Sequence, residues 1–180
     1  MKYYAVQVKT NQEDKYIDKV TNKLSGRLDK QHFIFPRRRL EIRKAGKKTM
    51  QILPLFPGYI FLETETIDKD LFMIMRKTTG FYRFLKSNQD ITELRDKDLT
   101  TLHHFMQFGE IAEPSKVHFD ENDRIVVDSG PLQGLEGKIV KVDRRKGRAK
   151  IQLDLYTENF LLDLGFELIS KGNSIKQDLK

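Results

Sequence analysis

Residues 128–137 read Asp128-Ser129-Gly130-Pro131-Leu132-Gln133-Gly134-Leu135-Glu136-Gly137, with three glycines and a proline in ten positions. Such a density has a backbone cause. Gly130, Gly134 and Gly137 can take positive φ or admit a neighbouring strand, so the loop can reverse tightly at the corner of a barrel. Its flanks are strand-like, DRIVV at 123–127 and KIVKVD at 138–143. Further out, the short apolar segments 148–155 and 159–164 are again bounded by turn residues. Segments 124–127, 136–142, 148–155 and 159–164 together predict a small β-barrel. Leucine-rich 153–169 could also support a helix, but the Val/Ile-rich stretch 125–142 favours the barrel.

Upstream, residues 109–118 hold Gly109, Glu113, Pro114 and Ser115 with no apolar period, which suits a linker. Before that, Tyr3, Ala5, Val6 and Val8 form a β-rich opening, and Thr10 or Asn11 offers a helix cap. Tyr16, Ile17, Val20 and Leu24 recur at helical spacing until Ser25-Gly26. The run 33–36 leads into Arg37, Arg38, Arg39, Arg43 and Lys44, a turn at Ala45-Gly46-Lys47, and a return strand at 50–53, a basic hairpin. LFPGYIFL at 55–62 is short, apolar and aromatic, the pattern of a buried central strand entered through a Pro-Gly corner. Ile67, Leu71, Ile74 and Met75 fit a second helix ending near Lys77, 80–85 resumes β character, and 93–108 fits a third helix. The expected architecture is α+β: a front module at 1–108 with a central antiparallel sheet flanked by helices, a linker at 109–118, a barrel at 119–170 and a flexible tail at 171–180.

Composition agrees with two small modules. Over 180 residues, 38% hydrophobic and 33% charged side chains supply modest cores and little more. The net charge of +7 points to nucleic acid or another acidic partner. With no cysteine there is neither a disulfide framework nor a thiolate metal site, and a cytoplasmic location is the default expectation. No run approaches the roughly 18 apolar residues of a membrane span, so no membrane association is expected. Catalysis is not expected either. His103 and His104 are adjacent and diverge by about 100° on a helix. His32 and His118 are isolated, the serines lie in no nucleophile elbow, and no phosphate-binding Gly-x-x-x-x-Gly-Lys occurs, so neither cofactor nor metal is expected.

Residues 128–137 with their flanks resemble the KOW motif, 55–62 resembles the signature strand of the NusG amino-terminal (NGN) domain, and Tyr4-Ala5-Val6-Gln7 resembles its first strand. First strand, helix, basic hairpin, FPGY strand, linker and KOW loop follow in the order of the NusG family over nearly the whole chain. The resemblance implies a monomeric transcription elongation factor whose front module sits on the clamp helices of the largest subunit of bacterial RNA polymerase. Tyr3, Phe56 and Tyr59 occupy the matching positions of that polymerase-binding pocket. It also implies that the turn after the second helix, with Lys77 and Thr78, faces the non-template DNA strand. Upstream duplex DNA is then the neighbour of Arg37, Arg38 and Arg39.

In the second half, Lys138, Lys141, Arg144, Arg145, Lys146 and Arg148 cluster with Asp143 as the acid among them. Arginines in the RRKGR turn can fork onto phosphates, which points to nascent RNA. General NusG proteins use this module to bind Rho or a ribosomal protein. Here Tyr156-Thr157-Glu158-Asn159-Phe160 replaces the usual Gly-Arg-x-Thr-Pro-like stretch, and with the basic turn this looks more like LoaP, a specialised antiterminator group. The expected function is therefore suppression of pausing or termination. A housekeeping factor coupling polymerase to Rho or the ribosome is the alternative, and a ribosomal RNA-binding KOW protein is a rival of another class.

Overall fold

The computed structural model describes residues 1–85, 87–155 and 158–169. β1 (Lys2–Val8), β2 (Phe33–Ile34), β5 (Tyr59–Thr64) and β6 (Phe81–Phe84) form an antiparallel sheet in the order β2-β5-β1-β6. Side chains alternate across β1, so Tyr4, Val6 and Val8 face one way while Tyr3 and Ala5 face the other. The first set is closed by α1 (Glu13–Leu24), through Tyr16, Ile17, Val20 and Leu24, and by α2 (Lys69–Arg76), through Leu71 and Met75. The second set meets Leu102 and Phe105 of α3 (Asp96–Met106).

Neither Thr10 nor Asn11 caps α1. Its N-cap is Gln12, with no side-chain cap bond, because Asn11 is spent at φ 62° in a turn closed by the Gln12 amide on the Lys9 carbonyl. The 55–62 run is also not strand throughout. Gly58 at φ 83° and the Tyr59 amide on the Phe56 carbonyl (3.0 Å) turn the chain, and β5 starts only at Tyr59. The Gly58 amide is taken up by the buried Glu13 carboxylate at 2.7 Å.

β3 (Arg37–Lys44) and β4 (Lys47–Pro54) are the basic hairpin, joined by Ala45 and Gly46, both at positive φ, as a two-residue turn matched to strand twist requires. β7 (Ile111–Ala112) pairs parallel with β3 at Arg37 and Arg38. Then β8 (Ser115–Phe119), β9 (Ile125–Ser129), β10 (Ile139–Asp143), β11 (Arg148–Leu155) and β12 (Glu158–Leu168) build the small barrel in the order β10-β11-β12-β8-β9. Stretch 109–118, expected to be a linker, carries β7 and most of β8. Residues 153–155 and 158–168 are strand, and along β11 Ala149, Ile151, Leu153 and Leu155 are buried at every second position. The expected tail at 171–180 lies outside the described residues.

In the loop that decided the fold, Gly130 has φ 99°, and a Cβ there would fall 2.7 Å from the Ser115 Cα. Ser115 Oγ accepts the Leu132 amide at 2.9 Å, and Leu132 is fully buried. Gly134 also has positive φ; Gly137 does not, and lies instead in the short 3-10 turn Glu136–Lys138.

Candidate functional site

Tyr3, Phe56 and Tyr59 all lie on the α3 side of the front sheet, Phe56 and Tyr59 at one end and Tyr3 further along, opposite Glu63. Tyr3 is half-buried, donates its hydroxyl to Glu63 Oε1 at 2.9 Å and meets the His103 ring edge-on. Phe56 lies among Phe61 and Phe105, each edge-to-face within 6.0 Å. Its third aromatic neighbour comes from the barrel: Phe160 on β12 stands edge-to-face on Phe56 at 5.3 Å and on Tyr59 at 5.4 Å. Phe56 is left 1% exposed and Tyr59 6%. Burial, with Glu158 nearby, pushes the Tyr59 phenol above its ordinary pKa.

Other contacts frame this lid. Arg83 on β6 reaches Glu158 on β12 at 3.3 Å while its Nε holds Gln7 Oε1. His104 Nε2 lies 2.8 Å from the carbonyl of Pro131 in the glycine-rich loop. Gly165 on β12 is packed so closely to β3 that a Cβ would come within 3.1 Å of the Arg39 carbonyl. The apolar side chains of both modules run together in one core.

The three hairpin arginines sit at its base. Arg37 pairs with Glu110 at 2.9 Å and Arg39 with Glu113 at 2.8 Å, tying β3 to the segment that follows α3. Arg38 donates to the Leu55 carbonyl at 3.1 Å. Burial pushes its guanidinium below its ordinary pKa, with Asp163 opposing the shift and Arg148 adding to it. Arginine stays charged throughout. Lys77 is exposed at the end of α2, but Thr78 is 1% exposed and donates its hydroxyl to the Ile74 carbonyl, the work of a helix terminator.

On the barrel, Arg144, Arg145 and Lys146 are exposed in the turn between β10 and β11. Arg144 pairs with Asp123 at 3.0 Å and lies 3.5 Å over the Phe119 ring. Asp143 accepts the Lys146 amide, which lowers its pKa, and holds the Lys146 ammonium at 3.6 Å. Arg148 donates to the Glu41 carbonyl on β3 and lies 4.0 Å from Asp163, which also binds Lys150 at 3.0 Å. Lys141, Lys146, Arg148 and Lys150 share a small cavity with Asp143 and Asp163, whereas Lys138 lies apart, facing α3. Among the described residues no cluster of three or more potential metal ligands occurs, and no helix is long and apolar enough to cross a membrane.

Phe160 and Glu158 were not singled out as site residues by the sequence. Their signal was the departure at 156–160 from the usual barrel ending; Glu158 and Phe160 themselves stand on β12, which packs on the front module.

The family model for transcription termination factor nusG matches residues 1–103, more than half of the chain. The transcription termination/antitermination protein NusG of Thermus thermophilus is 24% identical, covering 96% of this chain and 99% of its own length. The Bacillus subtilis protein of that name is 27% identical over 71% of this chain and 72% of its own. A solved structure concerned with domain interaction in Thermotoga maritima NusG shares the fold, with a TM-score of 0.55 at 20% identity over 91% of this chain and 93% of that one. The order of the elements, the glycine-bent barrel loop and these matches agree: the chain belongs to the NusG family of transcription termination and antitermination factors, which are not enzymes.

Proposed function

We propose that the chain binds RNA polymerase and suppresses pausing or termination, gripping the clamp helices of the largest subunit with Tyr3, Phe56 and Tyr59 and contacting nascent RNA with its barrel. In this reading 1–108 is the polymerase module, 109–118 the connection, and 119–170 the RNA module. Lys138, Lys141, Arg144, Arg145, Lys146 and Arg148 serve RNA. Arg37, Arg38, Arg39 and Lys77 lie toward DNA, while Thr78 is a structural helix end in this conformation. The carrying observation is the aromatic face itself. Uncovered, a cluster of rings capped by one phenylalanine from a distant strand would present an apolar patch of the kind that marks a protein-binding site. Polymerase and the barrel then compete for one face, so the free chain is in its covered state and docking displaces Phe160.

Transcription in vitro through an intrinsic terminator tests this reading. The expected outcome is greater readthrough with the chain present, and more still with Phe160→Asp, which places a charge between Phe56 and Tyr59. A chain that neither joins elongation complexes nor alters readthrough, as wild type and as Phe160→Asp, overturns the proposal.

A further inference from the structure

The covered conformation brings two basic regions against each other. A cleft of about 260 Å³ is lined on one side by Lys48, Glu41 and Met50 of the β3–β4 hairpin and on the other by Arg144, Arg145 and Lys146 of the barrel turn. The hairpin tip adds Arg43, Lys44 and Lys47 beyond it, and the barrel cavity adds Lys141, Arg148 and Lys150. Carboxylates are too few to neutralise this strip. Glu41 holds Lys48 at 2.9 Å, Asp123 pairs with Arg144 and Asp143 with Lys146, Asp163 is shared by Arg148 and Lys150, and Glu167 lies at the rim, five carboxylates against ten lysines and arginines. Behind the strip, burial lowers the Arg38 pKa and the Arg148 guanidinium adds to that shift, and the Nε of each is buried without a hydrogen-bond partner. Concentrating like charge across a seam opposes closure, and the molecule closes nonetheless on its aromatic contacts.

A polyanion reverses the sign of that term. Bound along the strip it meets hairpin and barrel cations together only while the modules are closed. Linkage then requires that the polyanion favour the closed form by the same factor by which closure favours the polyanion. We infer that the hairpin tip and the barrel turn form one composite binding surface for the phosphate backbone of a structured RNA, assembled by domain closure. The inference rests on the reading that the barrel binds RNA, and adds to it Lys47, Lys48 and Lys150 and the closed arrangement as part of the site. When polymerase displaces the barrel, the hairpin's share of the RNA contact is given up, and the barrel's own cations remain on the RNA.

The test is binding of a fluorescein-labelled RNA stem-loop to the full chain across a salt titration, with four variants. Lys47→Glu/Lys48→Glu, at the exposed hairpin tip, is expected to weaken binding at least about fivefold and to reduce the salt slope by about two, one for each phosphate that the variant no longer neutralises. Phe160→Asp, which carries no change in the basic strip, is expected to weaken binding to a similar extent by opening the seam. Combining the two is expected to add little, because the hairpin no longer matters once the modules separate. Wild-type affinity in both the hairpin and the Phe160 variants, with binding abolished in Arg144→Glu/Arg145→Glu, overturns the composite surface and leaves the barrel as the RNA module. Unchanged affinity in Arg144→Glu/Arg145→Glu as well overturns the underlying reading. A DNA duplex of equal length bound more tightly than the RNA at the same salt overturns the assignment to RNA.

Discussion

The two faces of the front sheet are covered by different kinds of neighbour. Tyr4, Val6 and Val8 lie under α1 and α2, helices that follow their strands within a few residues and cannot leave without unfolding the module. Ala5, Phe56, Tyr59 and Phe61 lie partly under α3 but also under β11 and β12, about a hundred residues away in sequence. On the proposed reading, equal burial conceals unequal permanence: the first face is permanent core, and the second is the part of the shared core that polymerase docking would uncover. The sharpest way to break this comparison is a cavity on the permanent face. Phe84 is fully buried there, stacked on Phe72 and edge-on to Phe81. Phe84→Ala is expected to lower global stability by about 3–5 kcal/mol, read in urea unfolding. A loss below about 1 kcal/mol would mean that this face is no more essential than the other.

The matching change on the removable face acts on a different equilibrium. Phe160→Ala deletes two edge-to-face contacts, each worth about 0.5–1.5 kcal/mol, at a ring that shares its face of β12 with Leu162 and Leu164 and stands opposite Leu153 of β11. Together they amount to about 2 kcal/mol, a shift of roughly 30-fold from closed toward open. Limited proteolysis of the 109–118 connection and retention on immobilised polymerase are both expected to rise, with the urea midpoint of the front module nearly unchanged. A midpoint that falls as far as that of Phe84→Ala would place Phe160 in a common core and erase the distinction.

The sequence reveals the permanent face more readily than the removable one, for a physical reason. Tyr16, Ile17, Val20 and Leu24 repeat at the helical period and β1 alternates, so the elements that bury one another can be read within about twenty residues of chain. The glycine run at 128–137 likewise announced its corner, although Gly137 needed no positive φ. What periodicity cannot carry is pairing at long range. Nothing in Phe160 alone says that it stands on Phe56. The basic runs were visible, but their division was not: Arg37 and Arg39 are bound to Glu110 and Glu113, Arg38 is half-buried on the Leu55 carbonyl, and Thr78 closes a helix. Asn11 shows the same limit at short range, since its backbone is taken by a turn that local residue preference does not foresee.

The smallest expected effect lies at the edge of the removable face. Arg83 and Glu158 are each 43% exposed and 3.3 Å apart. An exposed pair of this kind contributes about 0–1 kcal/mol, because water screens the attraction and two long side chains must be held in place. Glu158→Gln keeps the shape, leaves Arg83 Nε on Gln7 and removes one charge from beside Tyr59. Opening should rise less than about fivefold, by the same proteolysis assay, and the difference from wild type should fade as salt shortens the Debye length to about 3 Å near 1 M. The aromatic lid has no such dependence, since apolar contact does not weaken with ionic strength. Phe160→Ala should therefore keep its effect at high salt while Glu158→Gln loses its own. If instead Glu158→Gln opens the chain as far as Phe160→Ala at every salt concentration, the face is latched by charge, and the rings only fill the space behind it.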